Sequence, residues 1–532
     1  MPETLLDQIK IAAASIQEMD GGRLLSGAHV SLELPTAPRR YLYSGWQSWS
    51  LTAWVEPGRP VRPMRPASLR AMQTDPAYAR ESRPHGSWYG AVEMPDGQVL
   101  LLGALSLESH VRLDDGQTLT GWVEAGAGEW FVGCGQEDAL FEQYAGLLKQ
   151  RFGSGRVHEP LRVWCSWYSL YTGIDEARLL KILHDLGDLP FDVFQVDDGW
   201  QAAIGDWEPN AKFPAGMQAM AAQIQATGRK AGLWLAPLLA VPSSGLYREH
   251  PDWLLRDAGG RLVSAGFIWG ERLYALDTTH PGALAWLLAL MEKVRGWGYD
   301  YVKLDFLYAG GLPGHRHVDL PREAAYRNGL KLMRAALGEA YFLTCGAPVL
   351  PSLGLCDGLR VGPDVAESWS SHRDDDLLMN TATPGGRNAL RTTLNRLWLK
   401  PLVQTDPDVA YFRSRLNDLT PEQRQLLQDL AQIADFKATS DVPAWLAESE
   451  RAALRAFLER RPTLRKTGQT SYALDGRVVN FGPHVGLPAL PDPFTNLLGA
   501  LIGGLADVPF LMKIFEALGK RALQKKLAEN PV

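Results

Sequence analysis

A lysine and an aspartate interrupt an apolar, β-prone run of the chain, "YVKLDFLYAG". Side chains alternate between the two faces of a strand, so Lys303 and Asp305 share one face and Val302, Leu304 and Phe306 share the other. A neighbouring cation favours the ionised form of a carboxyl group, which is the form that a nucleophile requires. The two residues could equally form a structural ion pair at a strand end, so this run alone leaves both interpretations open.

Further charged and aromatic residues stand at the ends of other strand-like runs. They are Trp167, Asp197, Asp198, Trp234, Cys345, Arg360 and Asp364. Together with Lys303 and Asp305, this set holds four carboxylates and two cations from separate parts of the chain. Burying so many charges without a task is energetically costly. The set as a whole therefore indicates a functional site more strongly than any one member does.

Three chemistries could use carboxylates in this arrangement. A barrel-type metal hydrolase needs histidine ligands at strand ends, but the only His-X-His motif, at residues 315–317, lies in a loop bounded by glycine and proline. A phosphate-using enzyme needs a glycine-rich anion cradle, which we do not find. Glycoside hydrolysis needs two carboxyl groups, polar groups for sugar hydroxyls and aromatic faces, and it matches the set best. We predict no metal and no cofactor.

The elements that must position these residues follow from the rhythm of the chain between residues 160 and 440. Strand-like runs such as "LRVWCSW" and "FDVFQV" alternate with helix-like runs such as "DEARLLKILHDLG". This alternation predicts a parallel sheet covered by helices on both faces. Six strands are clear, and two more near "PLVQTD" and "LAQIADF" would close a (β/α)8 TIM barrel, whose active residues lie at the C-terminal strand ends. A doubly wound open sheet is the alternative, but no glycine-rich phosphate turn follows any strand.

The composition changes twice along the chain and predicts three domains. Residues 1–157 contain short alternating runs separated by turns, which is typical of a β-sandwich. Residues 158–458 would form the barrel, and residues 459–532 a reduced β piece followed by an amphipathic helical tail.

The tail is unusual because apolar and basic residues alternate with helical spacing. One face would carry Leu511, Phe515, Leu518 and Ala522. We expect this face to pack on the barrel or on a partner subunit of a homo-oligomer, and association with a membrane surface is the alternative.

The overall composition excludes several classes of protein. The 532 residues carry a net charge of −6 with no basic stripe, so no nucleic-acid partner is expected. Four cysteines without a CxxC spacing suit a reducing compartment. No apolar run reaches the roughly 20 residues that span a bilayer, so no integral membrane segment is expected. Because the N-terminal residues lack a signal-peptide pattern, we predict a cytoplasmic protein.

Eight motifs of the chain stand in the order seen in a known family. They are "WCSWY", "VFQVDDGW", "GLWLAP", "HPDW", "YALD", "YVKLDF", "CGAPVLPSLG" and "LRVGPD". Over residues 160–410 this order resembles the family 36 α-galactosidases of the melibiase type. The segment "GWQSWS", which contains Trp49, resembles a loop that reaches into the active site of that family.

The resemblance implies a retaining double displacement, with Asp305 as nucleophile and Asp364 as general acid and then general base. It further implies that Asp197 and Asp198 bind the 4- and 6-hydroxyls of galactose, and that Lys303 donates to the sugar. The remaining implied sugar contacts come from Arg360, which would donate to O2 and O3 with Lys303, from Trp49, Trp167 and Trp234, which would form walls, and from Cys345, which would line the pocket near O2.

Two electrostatic expectations accompany these roles. Asp364 must remain protonated near neutral pH to act as an acid, so we predict a raised pKa. Arg360 would oppose this effect, so we expect its guanidinium to face the sugar or another carboxylate rather than Asp364. A retaining site further requires the carboxyl groups of Asp305 and Asp364 to lie roughly 5–5.5 Å apart.

The sequence therefore predicts an exo-acting α-galactosidase that acts on small oligosaccharides such as melibiose or raffinose. Related alternatives are an α-N-acetylgalactosaminidase and a galactosyl transferase of the raffinose-synthase type. From a different class, a catalytically silent sugar-binding protein is the remaining alternative, although the presence of both Asp305 and Asp364 argues against it.

Overall fold

The computed structural model describes residues 5–59, 61, 65–156, 159–370 and 381–532. The N-terminal part contains two antiparallel sheets. The five-stranded sheet consists, in spatial order, of Lys10–Ala12, His29–Glu33, Thr118–Val123, Ser109–Asp114 and His85–Ser87. The seven-stranded sheet consists of Ser15–Met19, Gly22–Ser26, Glu129–Gly135, Val99–Ala104, Tyr89–Glu93, Arg40–Tyr43 and Ala53–Val55.

The two sheets pack face to face because their strands alternate apolar and polar residues. In Thr118–Val123 every second residue is buried. The indole of Trp130 on one sheet packs against Gly121 on the other, where a β-carbon would lie 2.9 Å from the ring. The hydroxyl of Tyr41 crosses between the sheets to donate to the carbonyl of Val111 at 3.1 Å. The predicted β-sandwich is confirmed.

Eight parallel strands form the second part of the fold. They are β1 (Arg162–Cys165), β2 (Val193–Val196), β3 (Lys230–Leu235), β4 (Tyr301–Leu304), β5 (Tyr341–Thr344), β6 (Gly358–Arg360), β7 (Gln404–Asp406) and β8 (Lys437–Thr439). Each strand pairs with the next from β1 to β7, and β8 pairs with β1. A parallel bridge between Val409 and Ala438 joins the segment after β7 to β8. The predicted (β/α)8 barrel is confirmed.

Seven helices of at least nine residues accompany these strands among the described residues. They are α1 (Glu176–Leu186), α2 (Gly216–Ala226), α3 (Pro281–Gly296), α4 (Arg322–Leu337), α5 (Gly386–Leu394), α6 (Pro421–Ala434) and α7 (Glu448–Glu459). A further helix, Glu137–Phe152, leads from the sandwich to the barrel. The predicted domain boundary at residues 157 and 158 lies outside the described part of the chain.

The sequence pattern predicted the position of the seventh strand correctly and that of the eighth strand only approximately. β7 falls within the predicted "PLVQTD" segment, whereas the apolar residues of "LAQIADF" largely belong to the end of α6. Leu430 and Ile433 are buried on that helix, and Asp435 ends it in a left-handed conformation. The eighth strand therefore begins at Lys437, just after the predicted segment.

Two insertions at the C-terminal ends of the strands extend the barrel. A hairpin of Gln201–Ala203 and Asp206–Pro209 follows β2. A small sheet of Leu239–Ala240, Glu271–Ala275 and Ser264–Ile268 follows β3. The small sheet supplies Phe267 and Ile268 to the cavity described below, whereas Gln201 of the hairpin donates to Asp198 of the cavity wall.

The C-terminal part contains a small antiparallel sheet, a short helix at Gly482–Val485 and two longer helices. The strands are Leu464–Gly468, Ser471–Leu474 and Arg477–Asn480, and the longer helices are α8 (Pro493–Ala506) and α9 (Pro509–Glu529). Among the described helices, none alone has the length and hydropathy of a membrane span, but α8 and α9 together pass that test as a pair bent by 88°.

The predicted packing face of the tail is not buried against the barrel, and its packing on a partner subunit stays a prediction. Phe515 and Leu518 are 58% and 53% exposed, whereas Leu527 is buried against Gly173 of the barrel. Near its C-terminal end the helix contacts the barrel through Leu527, which lies on a different face of the helix from Phe515 and Leu518. Part of its apolar surface therefore remains in solvent.

Candidate active site

A cavity of about 410 Å³ opens at the C-terminal ends of the barrel strands. Eight of the ten sequence-predicted site residues line it: Trp49, Trp167, Asp197, Asp198, Trp234, Lys303, Asp305 and Asp364. The other two, Arg360 and Cys345, are fully buried behind this wall and do not contribute to the lining. The barrel topology brings these residues together because parallel strands deliver all their C-terminal ends to one face.

Asp305 is held by two hydrogen-bond donors and one ion pair directly after β4. The indole Nε1 of Trp234 donates to its Oδ2 at 3.0 Å, and the backbone N–H of Phe306 donates to its Oδ1 at 2.7 Å. The Nζ of Lys303 lies 3.8 Å from the same Oδ2. These contacts favour a carboxylate in a fixed orientation, as a nucleophile needs.

Phe306 does not share a face with Val302 and Leu304 as strand alternation predicts. β4 ends at Leu304, and Phe306 adopts a left-handed conformation with φ of 54°. Its ring therefore turns into the cavity, where it lies edge-on to Trp49 with ring centroids 5.1 Å apart. A non-glycine residue in this conformation is uncommon and concentrates at functional sites.

Lys303 bridges two aspartates from adjacent regions of the barrel. Its Nζ lies 3.1 Å from Oδ2 of Asp197, closer than to Asp305. Burial by itself lowers the pKa of Lys303, but the charges of Asp197 and Asp305 raise it well above its usual value. The lysine thus remains a cation, and its charge compensates both carboxylates.

Asp198 lies at the end of β2 between two neutral donors. Gln201 Nε2 donates to its Oδ1 at 2.6 Å, and Trp269 Nε1 donates to its Oδ2 at 2.7 Å. Burial raises the pKa of Asp198 to about 6 against the opposing effect of these hydrogen bonds. Gln201 and Trp269 were not among the predicted residues. The proximity of Gln201 to "VFQVDDGW" was an available signal, whereas Trp269 sits in a turn with no distinctive local pattern.

Asp364 shares one guanidinium with two other carboxylates. Arg360 places Nη1 3.0 Å from Asp364, Nε 3.1 Å from Asp406 and Nη2 2.9 Å from Asp408. The expectation that Arg360 turns away from Asp364 is wrong, although it does bind other carboxylates. Asp406 ends β7 and Asp408 follows it, where no function was predicted from the sequence.

The shared guanidinium leaves this cluster short of positive charge. Burial raises the pKa of Asp364. The charges of Arg360 and Lys303 oppose this increase, the charge of Asp305 adds to it, and the net effect is a raised pKa. Burial likewise raises the pKa of Asp408 to about 7, against the charge of Arg360. Because three carboxylates share one guanidinium, their burial is only partly compensated, and the pKa values of Asp364 and Asp408 remain raised. The predicted direction for Asp364 is confirmed.

The loop that carries Trp49 comes from the β-sandwich and is fastened to the barrel by one buried arginine. Arg396 donates to five backbone carbonyl oxygens, of Gly45, Gln47, Ser48, Ser50 and Val361, at 2.6–3.1 Å. Burial lowers its pKa to about 10. Four of these five carbonyls belong to "GWQSWS", so the guanidinium sets the path of the loop.

Replacing Arg396 by leucine is expected to lower the free energy of unfolding by about 3–5 kcal/mol, because buried carbonyls lose their donor. Differential scanning calorimetry measures this loss. Arg261→Leu is the matched control: Arg261 pairs with Asp257 on the surface, so its loss is expected to remain below about 1 kcal/mol. A loss of similar size for both variants would contradict the anchoring role of Arg396.

A second cluster of titratable residues lies in the sandwich, away from the cavity. Side-chain atoms of Asp75, His110 and Glu124 lie within 4.8 Å of one another, as metal ligands can. Arg322 of α4 already inserts there, with Nη2 2.8 Å from Asp75 and 2.9 Å from Glu124. Its guanidinium also lies 5.0 Å from the ring of Trp46. The cluster thus contributes to the contact between sandwich and barrel.

Carboxylates in an aromatic-walled cavity at this face of a (β/α)8 barrel define the class of barrel glycoside hydrolases. Comparison with known proteins agrees with this class. The melibiase family model matches residues 136–335. An α-galactosidase from Thermus thermophilus, solved in complex with p-nitrophenyl α-D-galactopyranoside, superposes with a TM-score of 0.85 and 46% identity, over 89% of this chain and 97% of that one. The chain belongs to the melibiase family, glycoside hydrolase family 36.

More distant relatives match smaller portions. The α-galactosidase AgaA from Geobacillus stearothermophilus, of glycoside hydrolase family 36, shares the fold with a TM-score of 0.55 and 17% identity, over 82% of this chain and 65% of that one. In sequence, AgaA of that organism is 30% identical over 37% of this chain and 28% of its own length. The α-galactosidase of Escherichia coli is 26% identical over 41% of this chain and 32% of its own length. The matches thus span about a third or less of these curated relatives.

Proposed function

We propose that the protein is an α-galactosidase that releases terminal α-galactosyl residues from oligosaccharides. The observation that carries this proposal is the cavity in which Asp305 and Asp364 stand together between tryptophan walls. Two ligand complexes of the Thermus thermophilus relative add support, since one contains p-nitrophenyl α-D-galactopyranoside and the other stachyose. The proposed substrates are therefore small α-galactosides.

We infer a double displacement as the mechanism. In the first step an oxygen of Asp305 forms a bond to the anomeric carbon while the glycosidic C–O bond breaks, and Asp364 gives its proton to the departing oxygen. In the second step Asp364 removes a proton from water, the water oxygen bonds to the anomeric carbon, and the bond to Asp305 breaks. Two inversions at one carbon retain the α configuration.

The surroundings of the two carboxyl groups suit these opposite roles. Asp305 accepts from Trp234 and from the backbone N–H of Phe306, which stabilise its charge. Burial raises the pKa of Asp364, and the guanidinium of Arg360, which also contacts Asp406 and Asp408, does not reverse this increase. Environments that separate the protonation states of two carboxyl groups are the basis of acid and nucleophile assignments.

Galactose recognition is proposed to involve Asp197 and Asp198 on the 4- and 6-hydroxyls, with Lys303 donating to the 2- and 3-hydroxyls. All three residues line the cavity. Carboxylates accept strongly from hydroxyl groups, and the axial O4 is what distinguishes galactose from glucose. Arg360 lies outside the lining, so we assign it a positioning role through Asp364 rather than a direct sugar contact.

The direct test compares initial rates on the p-nitrophenyl α-glycosides of galactose, N-acetylgalactosamine and glucose. We expect clear preference for the galactoside. Proton NMR of the first product should show the α anomer, and early appearance of the β anomer would contradict double displacement. Absence of α-galactoside turnover would overturn the proposed function, and preference for the N-acetylgalactosaminide would replace it with the related specificity.

The charge cluster makes a pH prediction for Asp408→Asn. A general acid works while protonated, so kcat/KM falls as pH rises through the pKa of Asp364. Without the Asp408 charge, Arg360 pairs with fewer carboxylates and its positive charge is less compensated. The pKa of Asp364 is therefore lowered. The alkaline limb of the profile is expected to move about one unit toward lower pH.

The matched control for this shift is Asp257→Asn, in a surface turn, which should leave the profile unchanged. An alkaline limb that does not move in Asp408→Asn, or that moves to higher pH, would contradict the electrostatic link between Asp408 and Asp364.

A further inference from the structure

The C-terminal helix α9 crosses the mouth of the candidate active site. Just before the helix begins, the carboxylate of Asp507 accepts from the backbone N–H groups of Ala67 and Ser68 at 2.9 and 2.7 Å. Toward its end, Lys526 Nζ lies 3.0 Å from Glu367 of the barrel. Between these anchors, Met512 points into the lining of the cavity that holds the four aspartates. The helix is thus a fixed wall of the site.

A second cavity of about 560 Å³ lies under the same helix and adjoins the first. Five residues line both cavities: Trp167, Phe267, Ile268, Trp269 and Met512. The four aspartates line the first cavity only, so the second cavity continues from it toward the protein surface. A galactosyl group attacked by Asp305 must occupy the first cavity, and its leaving group then extends outward.

The walls of the second cavity are mainly apolar. α9 adds Phe515, Ala522 and Leu523 to the shared residues. Its three charged groups in the lining already have partners, because Glu516 pairs with Lys520 at 3.0 Å and Lys526 pairs with Glu367. Indole rings could stack on a second sugar, but isoleucine and leucine side chains offer no hydrogen bond to its hydroxyl groups, and the uncharged polar lining is limited to Tyr171 and Thr172.

We propose that this second cavity is a leaving-group site, built in part by α9, that favours α-galactosides with an apolar alkyl or aryl aglycone. The proposal rests on the function proposed above and specifies its substrate class. Phe515 is 58% exposed at the cavity edge, and an apolar chain bound there would cover it. Removal of apolar surface from water is the driving force for binding.

The test compares octyl α-galactoside with melibiose for a Phe515→Ala/Leu523→Ala double variant, whose two side chains line the second cavity but not the first. Each lost methylene contact is worth a factor of roughly four, so kcat/KM for the octyl substrate is expected to fall about tenfold. For melibiose we expect a change of less than about threefold, since its polar leaving group buries little apolar area against the two side chains. Inhibition by free galactose, which occupies only the first cavity, should not change.

Ile514→Ala/Leu518→Ala is the matched control. Both side chains are exposed on the same helix, and neither lines a cavity. This variant should leave the octyl-to-melibiose ratio as in the unmodified protein. An unchanged ratio in the Phe515/Leu523 variant, or equal losses on both substrates, would overturn the leaving-group site while leaving the α-galactosidase proposal intact. If the unmodified protein turned over no α-galactoside, the proposed function itself would fail, and this site with it.

Discussion

Replacing Asp305 by asparagine is expected to reduce kcat for every α-galactoside by at least about 10⁴-fold, as the loss of a covalent nucleophile does in other enzymes. The reason is that an amide cannot form the glycosyl ester on which the second displacement depends. Asparagine keeps the shape of the side chain and an oxygen that can accept from Trp234, so folding should be preserved. Steady-state rates and calorimetric Tm values separate the two effects.

Asp305→Ala provides a second readout that a structural role would not produce. The shorter side chain leaves room for azide on the face that the carboxylate occupies, and azide attack there would yield β-galactosyl azide. Asp300→Asn is the control: Asp300 pairs with Arg295 just before β4 and lies outside the cavity lining, so activity should match the unmodified protein. Retention of activity within tenfold in Asp305→Asn would rule out Asp305 as the nucleophile.

Replacing Asp364 by asparagine is expected to reduce kcat/KM for melibiose or raffinose by about 10²–10⁴-fold, the usual range for loss of a general acid. The loss for p-nitrophenyl α-galactoside should be much smaller, because nitrophenolate leaves without help from a proton. kcat/KM is the appropriate parameter, since it reports the first displacement, whereas Asp364 also serves as base in the second.

The pH profile offers an independent check on Asp364. The raised pKa keeps Asp364 protonated up to a higher pH than an ordinary aspartic acid. Activity is therefore present below that pKa and is lost as pH rises through it. Asparagine carries no such proton, so the alkaline limb should disappear in the variant. Equal losses on both kinds of substrate, together with an unchanged alkaline limb, would show that another residue donates the proton.

The two aspartates differ because of their neighbours. Asp305 faces hydrogen-bond donors and a lysine, all of which favour the charged form. Asp364 faces a single guanidinium that Asp406 and Asp408 also use. The same side-chain chemistry thus serves two functions because the surrounding charge balance differs.

The sequence by itself determined the barrel and most of the cavity lining. Alternation of apolar strands and helices is a local property, and a parallel barrel then brings every C-terminal strand end to one face. For this reason Asp197, Trp234 and Asp305 could be assigned to one site without coordinates. Composition and turn patterns were likewise sufficient for the sandwich, because strand alternation is visible within a few residues.

Only the tertiary structure decided how charges are shared and what closes the site. Arg360 reaches Asp406, 46 residues away, and no local pattern reports such a contact. Trp269 and Met512 enter the cavity from an insertion and from the C-terminal helix, and their orientation depends on long-range packing. Periodicity shows that a helix has an apolar stripe, but neighbours from distant parts of the chain select which stripe is buried. The tail forms part of the active-site wall because Asp507 accepts from Ala67 and Lys526 pairs with Glu367, and the sequence pattern reports neither contact.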